Sequence, residues 1–399
     1  MAGYKSIEDL GDLRGKKALV RVDFNVPMKD GEVADVTRME RSVPTVRHLM
    51  DQGAKVILLS HFGRPKGEAD ESMTLEQVVQ AFANELQAPV GFVDATVGER
   101  ARQAVAEMEE GDVLVLENTR FHAGEEENEP GFSADLAALG DVYINDAFSA
   151  AHRAHASTEG VARLLPSAAG LALARELDYL AAALSNPERP MMAVVGGAKV
   201  STKIDVLTHL IGKADKLVVG GGMANTFLLA MDLEIGKSLA EPDLVSTAQD
   251  ILRRASDAGC EILLPKDVVV AEEFVAGATT KVRPADQVQG NEMILDLGPD
   301  SVDSYAAALE GCKTLVWNGP LGAFETPPFH TGTVELARFA ARLSKNGQLT
   351  SVAGGGDTVA ALGVANVIDE FTYVSTAGGA FLEWMEGKTL PGIAALAKA

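Results

Sequence analysis

Short apolar runs alternate with helix-like segments along the whole chain. In the first half, the runs KKALVRVDF, KVILLS, DVLVLEN and DVYIND are interleaved with helical patterns that include Thr37–Asp51 and Thr74–Leu86. A continuous Val/Ile/Leu run is typical of a buried parallel strand, and alternation at this spacing predicts βαβ units. The same pattern restarts at Met191. The sequence therefore predicts an α/β protein with mostly parallel sheets.

Five apolar runs in the second half end in glycines and lead at once into a helix-like segment. They are MMAVVGGAKVSTKI, KLVVGGGMANTF, TLVWNGPLGAF, TSVAGGGDTVAAL and FTYVSTAGGAFLEW. Ligands of open α/β sheets lie beyond the carboxyl ends of the strands. Glycine lets backbone N–H groups approach a ligand closely, and a helix N-terminus adds partial positive charge. Five such junctions in series predict a nucleotide or phosphate site.

The length of 399 residues exceeds what one hydrophobic core usually supports, so two domains are expected. The Ala/Leu-rich stretch Pro166–Leu184 has helical periodicity and is followed by SNPERP, whose prolines cannot continue a helix. This predicts a long connecting helix and a domain boundary near Asn186. A second boundary signal, LPG, occurs at Leu390–Gly392, and IAALAKA after it is expected to form a short amphipathic helix on either domain.

Composition narrows the function. The formal net charge of -22 argues against general affinity for nucleic acid or anionic membranes. The only cysteines are Cys260 and Cys312, so no disulfide framework or cysteine-rich metal site is indicated. The first residues do not resemble a signal peptide, and the most apolar helical stretch is interrupted by Arg175, Glu176 and Asp178. A cytoplasmic protein without a membrane span is expected.

Polar and basic side chains cluster where the strands of the first half should end. They are Arg21, Asp23 and Asn25, then Arg38, His61, Arg64, Thr119, Arg120, Phe121, His152, Arg153 and His155. Strand alternation predicts Arg21, Asp23 and Asn25 on one face. Arginine forks bind carboxylate or phosphate, whereas Asp and Asn suit hydroxyls. A surface salt bridge is the alternative for any single arginine, but the joint placement predicts a small, hydroxylated, multiply anionic ligand.

The glycine junctions carry phosphate-binding side chains but neither common nucleotide fingerprint. No GxxxxGK[ST] loop is present, and GGAKVSTKI does not supply the GxGxxG of dinucleotide enzymes, which weighs against hydride transfer. Lys199 and Lys203 are predicted on one helix face, where a solvated face is the alternative. Asp357, directly after Gly354–Gly356, suits a magnesium ion shared with nucleotide phosphates. An N-cap is the alternative for Asp357, and Thr358 follows it.

The ordered motifs closely resemble the phosphoglycerate kinase family over essentially the whole chain. They are RVDFNVP, HFGRPKG, ENTRFHAGEEEN, DAFSAAHRAHAS, GGAKVSTKI, GGGMANTF, WNGPLGAFE and AGGGDT. The resemblance implies two Rossmann-like, three-layer α/β/α domains joined by a helical hinge. The implied bounds are an acid-binding domain over 1–170, a hinge over 171–187, a nucleotide domain over 188–387, and a tail over 388–399 that returns to the first domain. It also implies reversible, Mg²⁺-dependent phosphoryl transfer between 1,3-bisphosphoglycerate and ADP, giving 3-phosphoglycerate and ATP.

Site residues follow from the same resemblance. The 3-phosphoglycerate site is expected to comprise Asp23, Phe24, Asn25, Arg38, His61, Phe62, Gly63, Arg64, Arg120 and Arg153. The nucleotide site is expected to comprise Gly197, Lys199, Lys203, Gly221, Asn318, Pro320, Glu325, Gly354, Gly355, Gly356, Asp357 and Thr358, with Mg²⁺ at Asp357. The catalytic groups are expected to be Arg38, Lys199, Gly355 and Gly378. The family is expected to be monomeric. This chain departs from it at Ser149 and Ala377, where glycine is usual.

Three classes of function remain open at this point. An active kinase would need no general base, because the acceptor carboxylate is already ionised at neutral pH (free carboxyl pKa values are roughly 3 to 4). A pseudoenzyme that only binds nucleotide is a second possibility, which the intact Arg38, Lys199 and Asp357 argue against. A dehydrogenase is the third, and the missing dinucleotide fingerprint argues against it.

Overall fold

The computed structural model describes residues 3–398, which divide into two compact units. The first unit comprises the chain up to Asp178 together with the segment from Thr389 onward, and the second comprises Tyr179–Lys388. Each unit is built on a six-stranded sheet in which all neighbouring strands are parallel. The predicted α/β class with two parallel sheets is confirmed. None of the helices within 3–398 has the length and apolar character needed to cross a bilayer.

Before the second unit begins, the first unit contains eight strands and seven complete helices, and an eighth helix crosses into the second unit. The strands are β1 Lys17–Arg21, β2 Met28–Lys29, β3 Glu32–Val33, β4 Lys55–Leu59, β5 Gly91–Val93, β6 Val113–Leu116, β7 Val142–Asn145 and β8 Ser167–Ala169. The helices are α1 Thr37–Asp51, α2 Glu76–Leu86, α3 Glu99–Ala106, α4 Ala123–Glu126, α5 Pro130–Ala137, α6 Phe148–Ala151, α7 Val161–Leu164 and α8 Leu171–Leu180.

The first sheet runs in the order β5-β6-β4-β1-β7-β8. In β1, Leu19 lies opposite Ile57 of β4 and Tyr143 of β7, and all three side chains are fully buried. Burial on both faces explains why these strands read as continuous apolar runs. The chain reaches β4 on one side of β1 and β7 on the other, so the carboxyl ends of these strands flank a crevice of the kind that binds ligands.

The second unit contains nine strands and seven helices. The strands are β9 Met191–Val195, β10 Lys216–Val219, β11 Glu261–Leu263, β12 Asp267–Ala271, β13 Lys281–Pro284, β14 Met293–Leu297, β15 Thr314–Asn318, β16 Thr350–Gly354 and β17 Tyr373–Ser375. The helices are α9 Ile204–Ile211, α10 Gly222–Ala230, α11 Val245–Ala258, α12 Pro299–Glu310, α13 Thr331–Lys345, α14 Gly356–Ala365 and α15 Gly378–Met385.

The second sheet has the order β11-β10-β9-β15-β16-β17, with strand order reversing between β9 and β15. This is the order of dinucleotide-binding folds, whose ligands lie at that reversal. The five strands that precede the glycine junctions all belong to this sheet, as their apolar runs predicted. A separate antiparallel sheet, β13-β12-β14, was not predicted from the sequence.

The predicted continuous helix over Pro166–Leu184 is wrong in its first turn. Ser167–Ala169 instead forms edge strand β8, buried and paired with β7, and α8 begins only at Leu171. Small residues fit a buried edge strand as well as a helix, so their composition did not separate the two. The helical path then ends in a π-helical turn, Ala181–Ser185.

The segment from Thr389 onward packs on the first unit, and its described part, 389–398, contains one helical turn, α16 Pro391–Ala394. The amphipathic helix expected for IAALAKA is therefore shorter than predicted. Backbone hydrogen bonds join this segment to the start of the chain. Lys5 N–H donates to the Leu396 carbonyl at 2.9 Å, and Lys398 N–H donates to the Gly3 carbonyl at 2.8 Å.

Candidate active site

In the first unit, a carboxylate and a guanidinium meet just beyond β1. Asp23 Oδ2 accepts hydrogen bonds from Arg38 Nη1 at 3.0 Å and from Ser149 Oγ at 2.5 Å, while its Oδ1 accepts from Asn25 N–H at 3.1 Å. The predicted alternation along one strand face is wrong, because β1 ends at Arg21 and the two polar residues lie in the following loop. The loop turns the Asp23 side chain and the Asn25 backbone carbonyl towards Arg38 of α1.

The loops after β1, β4 and β6 are joined to one another by hydrogen bonds. Gly63 N–H donates to Asn25 Oδ1 at 2.9 Å, and Arg120 Nη1 donates to the Gly63 carbonyl at 3.1 Å. Asn118 Oδ1 accepts from the N–H groups of Phe62 at 3.2 Å and Arg120 at 3.0 Å. The structure thus brings the predicted acid-binding residues of three separate motifs to one edge of the sheet. Asn118 is an organising residue that the sequence reasoning did not single out.

Two imidazoles in this region are held neutral. Burial, followed by the charges of Arg21 and Arg120, lowers the pKa of His61 well below its ordinary value. Burial, followed by Arg120, Arg21 and Arg153, lowers the pKa of His155 to about 4. Burial is the larger cause for both histidines, and the contribution of several guanidiniums shows that the environment is also positive. Such an environment suits a ligand with several negative charges.

The remaining predicted residues of this set differ in accessibility. Arg64 is exposed, and within 3–398 its guanidinium forms no hydrogen bond or ion pair. Arg153 is exposed, and its Nε lies 3.2 Å from His152 Nε2. Phe24 and Phe62 are buried members of the core. Both exposed arginines are therefore available to an anion, whereas the two phenylalanines support the loops from below.

In the second unit, the glycine turns pack against each other backbone to backbone. A Cβ on Gly196 would lie 1.9 Å from the Pro320 carbonyl oxygen, so only glycine allows the turns after β9 and β15 to come this close. Gly221 N–H donates to the Leu321 carbonyl at 2.9 Å, and Met223 N–H donates to the Gly197 carbonyl at 3.1 Å. Three of the five predicted junctions therefore form one continuous surface.

A cavity of about 600 Å³ opens beside these turns, within the second unit. Its lining includes Gly197, Gly221, Pro320, Glu325 and Asp357 of the predicted nucleotide set. Its apolar walls include Leu239, Phe274, Met293, Ile294, Leu297 and Phe324. These wall residues were not predicted. The apolar runs DVVVA and MILDL, which form β12 and β14, were the available signal. An apolar cleft of this size with a few polar groups is typical of a small-molecule site.

Asn318 at the end of β15 connects several predicted residues beside the cavity. It accepts a hydrogen bond from Lys203 Nζ through Oδ1 and donates one from Nδ2 to the Gly354 carbonyl at 2.7 Å. The next residue, Gly319, donates its N–H to Thr358 Oγ1 at 2.7 Å. This network links the turns after β9, β15 and β16. Burial lowers the pKa of Lys203, and the negative charge of Asp357 works in the opposite direction.

Lys199 and Lys203 do not lie on one α-helix face, so that prediction is wrong. A 3₁₀ turn, Val200–Thr202, separates them, and Lys203 N–H donates to the Val200 carbonyl at 2.8 Å. The following helix, α9, begins only after Lys203. Lys199 is exposed, whereas Lys203 reaches inward to Asn318. The sequence spacing did not reveal the tighter turn.

The helices α14 and α15 begin side by side. Gly355, at a φ of 100°, is the N-cap of α14, so the N-cap alternative for Asp357 is wrong. Asp357 lies exposed in the first turn. A Cβ on Gly378, the first residue of α15, would lie 3.6 Å from Gly356 N. Ala377 precedes it at a φ of -97°, which any residue adopts, so glycine is not needed there. Two helix N-termini thus lie close together, an arrangement typical of anion-binding sites.

Comparison with known proteins agrees with this geometry. The family model described as phosphoglycerate kinase matches residues 7–388. A phosphoglycerate kinase of Chelativorans sp. (strain BNC1) is 59% identical over 398 residues, covering 100% of both chains. The solved structure of phosphoglycerate kinase from Coxiella burnetii has a TM-score of 0.92 and 41% identity, covering 99% of this chain and 100% of that one. That from Pyrococcus horikoshii OT3 has a TM-score of 0.81 and 31% identity, covering 98% of each.

Proposed function

The chain belongs to the phosphoglycerate kinase family of phosphotransferases, and we propose that its first unit binds the phosphoglycerate and its second unit binds ADP or ATP. The family catalyses reversible phosphoryl transfer between 1,3-bisphosphoglycerate and ADP, a step of glycolysis and gluconeogenesis. We further propose that the protein works as a monomer in the cytoplasm, with no nucleic-acid or membrane partner.

The observation that carries the proposal for the first unit is the cationic surface around the Asp23–Arg38 pair. Arg38 uses only Nη1 for Asp23 and for the Asn25 carbonyl, so the rest of its fork remains available to an anionic oxygen. Asp23 and Asn25 would hold the hydroxyl of the three-carbon acid, and Arg64, Arg120 and Arg153 its phosphate and carboxylate. His61, Gly63 and the backbone of Phe24 and Phe62 would complete the loops around the acid.

For the second unit, the cavity and the glycine turns support nucleotide binding. The apolar walls suit a purine, and exposed Glu325 at the cavity edge would accept hydrogen bonds from the ribose hydroxyls. The turns at Gly197, Gly221 and Gly355 would direct N–H groups at the phosphates, with Lys203 beside them. The remaining nucleotide contacts are proposed for Lys199, Asn318, Pro320, Gly354, Gly356 and Thr358.

Mg²⁺ would be held by Asp357 together with the nucleotide phosphates. Within the described residues no cluster of three or more His, Cys, Asp or Glu side chains could hold a metal ion on its own. A single exposed carboxylate beside a phosphate-binding turn fits magnesium, which keeps several waters and takes only one or two protein carboxylates. When bound, the ion neutralises phosphate charge during transfer.

The reaction needs charge stabilisation and positioning but no general base, because the attacking carboxylate is already ionised. Arg38 and Lys199 would stabilise the negative charge of the transferring phosphoryl group with their positive charges. The N–H groups near Gly355 and Gly378, at the adjoining starts of α14 and α15, would face the transferring group. Removing the charge of Arg38 or Lys199 should lower turnover much more than it lowers ligand affinity.

Transfer requires the acid and the nucleotide to meet, although the two sites belong to different units. We therefore propose that the chain around α8 and Ala181–Ser185 acts as a hinge during turnover. Small-angle scattering should show a smaller radius of gyration with both ligands than with either alone. An unchanged radius would contradict the hinge.

The decisive experiment is a coupled spectrophotometric assay on the purified protein. ATP should be consumed only when 3-phosphoglycerate and Mg²⁺ are both supplied. Nucleotide binding without turnover would support the pseudoenzyme alternative. Substituting Asp357→Asn should raise the Mg²⁺ concentration needed for half-maximal rate, which links the metal to this residue.

A further inference from the structure

A line of buried polar side chains lies behind the loops of the first unit and ends on His61. Glu125, Ser157 and Arg21 are each at most 1% exposed. Ser157 Oγ donates to Glu125 Oε1 at 2.5 Å and accepts from Arg21 Nε at 2.9 Å. Arg21 Nη2 lies 2.9 Å from His61 Nδ1. The proposed function uses none of the three buried groups directly.

The chemistry of the last contact restricts the proton on His61. A guanidinium donates hydrogen bonds and accepts none. Nδ1 of His61 can therefore meet Arg21 Nη2 only through its lone pair, and the single ring proton must lie on Nε2. A second proton on Nδ1 would place two donors against each other. Burial, followed by the charges of Arg21, Arg120 and Arg38, acts in the same direction, because each lowers the pKa of His61.

We propose that Arg21 is a positioning residue that fixes His61 in its Nε2-protonated tautomer, so that His61 offers an N–H donor to an anionic oxygen of the bound acid. The identity of that acid rests on the proposed function. Ser157, which donates to Glu125, accepts from Arg21 Nε, while Nη1 donates to the Val22 carbonyl. This leaves Nη2 directed at the imidazole.

The buried carboxylate of Glu125 also explains how a buried guanidinium is tolerated. A buried charge without a partner is strongly unfavourable. Through Ser157, the negative charge of Glu125 lies close to Arg21 without competing for Nη2. Glu125 has further donors of its own in Ser157 N–H at 2.9 Å and Thr119 Oγ1 at 3.3 Å. The arrangement is therefore satisfied before any ligand binds.

Two amide variants of His61 separate the roles of the two ring nitrogens. Asparagine places its amide near the Nδ1 position, which keeps an acceptor for Arg21 and loses the ligand donor. Glutamine reaches the Nε2 position, which keeps the ligand donor and leaves Arg21 without its acceptor. His61→Asn should raise the KM for 3-phosphoglycerate about tenfold more than His61→Gln does, because only the glutamine keeps a donor at the Nε2 position. The KM for ATP should not change in either.

The two His61 variants should rank in the opposite order for stability from that for acid affinity. His61→Asn should unfold at a higher urea concentration than His61→Gln, because it keeps the buried guanidinium satisfied. If the two variants lose acid affinity equally, or if the same variant is better in both measurements, the inference is overturned. If His61 had only a structural role, the same variant would be better in both stability and acid affinity.

Nitrogen-15 NMR on the full chain measures the tautomer without any substrate. The His61 signals are those that disappear in His61→Gln among the 7 histidines. Nδ1 should be unprotonated and Nε2 protonated at neutral pH. A protonated Nδ1, or an average of both tautomers, would overturn the inference whatever the activity. The expected tautomer in a protein without turnover would instead contradict the proposed function.

Variants of Arg21 test the cause of the tautomer. Arg21→Lys keeps a cation that can only donate, so His61 should keep one tautomer. Arg21→Met removes the donor, so His61 should exchange between tautomers and gain a proton at a higher pH. An unchanged tautomer in Arg21→Met would show that Arg21 is not the cause. If Arg21→Met does not fold, the asparagine and glutamine variants of His61 still decide the question.

Discussion

The turn at the start of α14 should tolerate substitution at one of two neighbouring glycines and not at the other. Gly355 has a φ of 100°, and a Cβ there would lie 2.6 Å from Asn318 Nδ2. Gly356 is the first residue of the helix, and a Cβ there would meet no atom within 4 Å. Gly355→Ala and Gly356→Ala therefore form a matched pair with the same chemical change.

The magnitude follows from two contributions at Gly355. An L-residue held at such a φ costs about 1 to 3 kcal/mol. Displacing Asn318 would also break its hydrogen bond to the Gly354 carbonyl, worth about 0.5 to 1.5 kcal/mol. Gly355→Ala should thus destabilise the second unit by about 2 to 4 kcal/mol. Gly356→Ala should be neutral or stabilise it by up to about 1 kcal/mol, because alanine favours the helix.

Tryptophan fluorescence during urea unfolding is the appropriate assay. Both tryptophans, Trp317 and Trp384, belong to the second unit, so the signal follows that unit. The KM for ATP should also rise in Gly355→Ala, because displacing Asn318 releases Lys203. Equal unfolding midpoints for the two alanine variants would refute the reasoning about this turn.

Three further outcomes are expected. Arg38→Ala should lower kcat about 100-fold to 1000-fold, with little change in the KM for ATP. This corresponds to the loss of ~3 to 4 kcal/mol that is typical when one charge-stabilising donor is removed. Turnover within about tenfold of the parent would contradict the role of Arg38. Ser149→Ala removes a hydrogen bond to the Asp23 carboxylate and should raise the KM for 3-phosphoglycerate about threefold to tenfold, and an equal rise for ATP would argue against it. Burial raises the pKa of Asp146 to about 7. The folded state therefore keeps a proton that the unfolded chain releases, and stability falls as pH rises from about 4 to about 7. Asp146→Asn keeps the acceptor for α8 and should flatten this fall in urea midpoints followed by circular dichroism, whereas an identical slope would count against the assignment.

Apolar runs predicted the two parallel sheets well because strands buried on both faces leave an unmistakable pattern. The apolar runs of β12 and β14 did not predict the sheet β13-β12-β14, because its third strand, β13, is mostly exposed and has no apolar run to pair with them. The strand β8 was mistaken for helix because Ser167–Ala169 consists of small residues without a strand signature. Local composition carries no information about which neighbour a segment pairs with.

The candidate site was predictable where charged side chains lie in the loops and first helical turns that follow the strands. Asp23, Arg38 and Asp357 stand out in the sequence for that reason. The residues that orient these side chains do not stand out in the sequence. Asn118 organises two loops through contacts 56 residues apart in sequence, and Ser149 reaches Asp23 across 126 residues. Such contacts depend on the completed tertiary structure, so only coordinates reveal them.

The return of the segment after Thr389 to the first unit affects how the protein can fold during synthesis. Leu390 and Leu396 are buried there, and Lys5 N–H has its partner on Leu396. A ribosome makes this segment only after the entire second unit. Until then, the nascent first unit has an exposed apolar patch and unpaired backbone groups. The second unit can already complete its own hydrophobic core during this time. Folding in the cell should therefore end with the unit that was translated first.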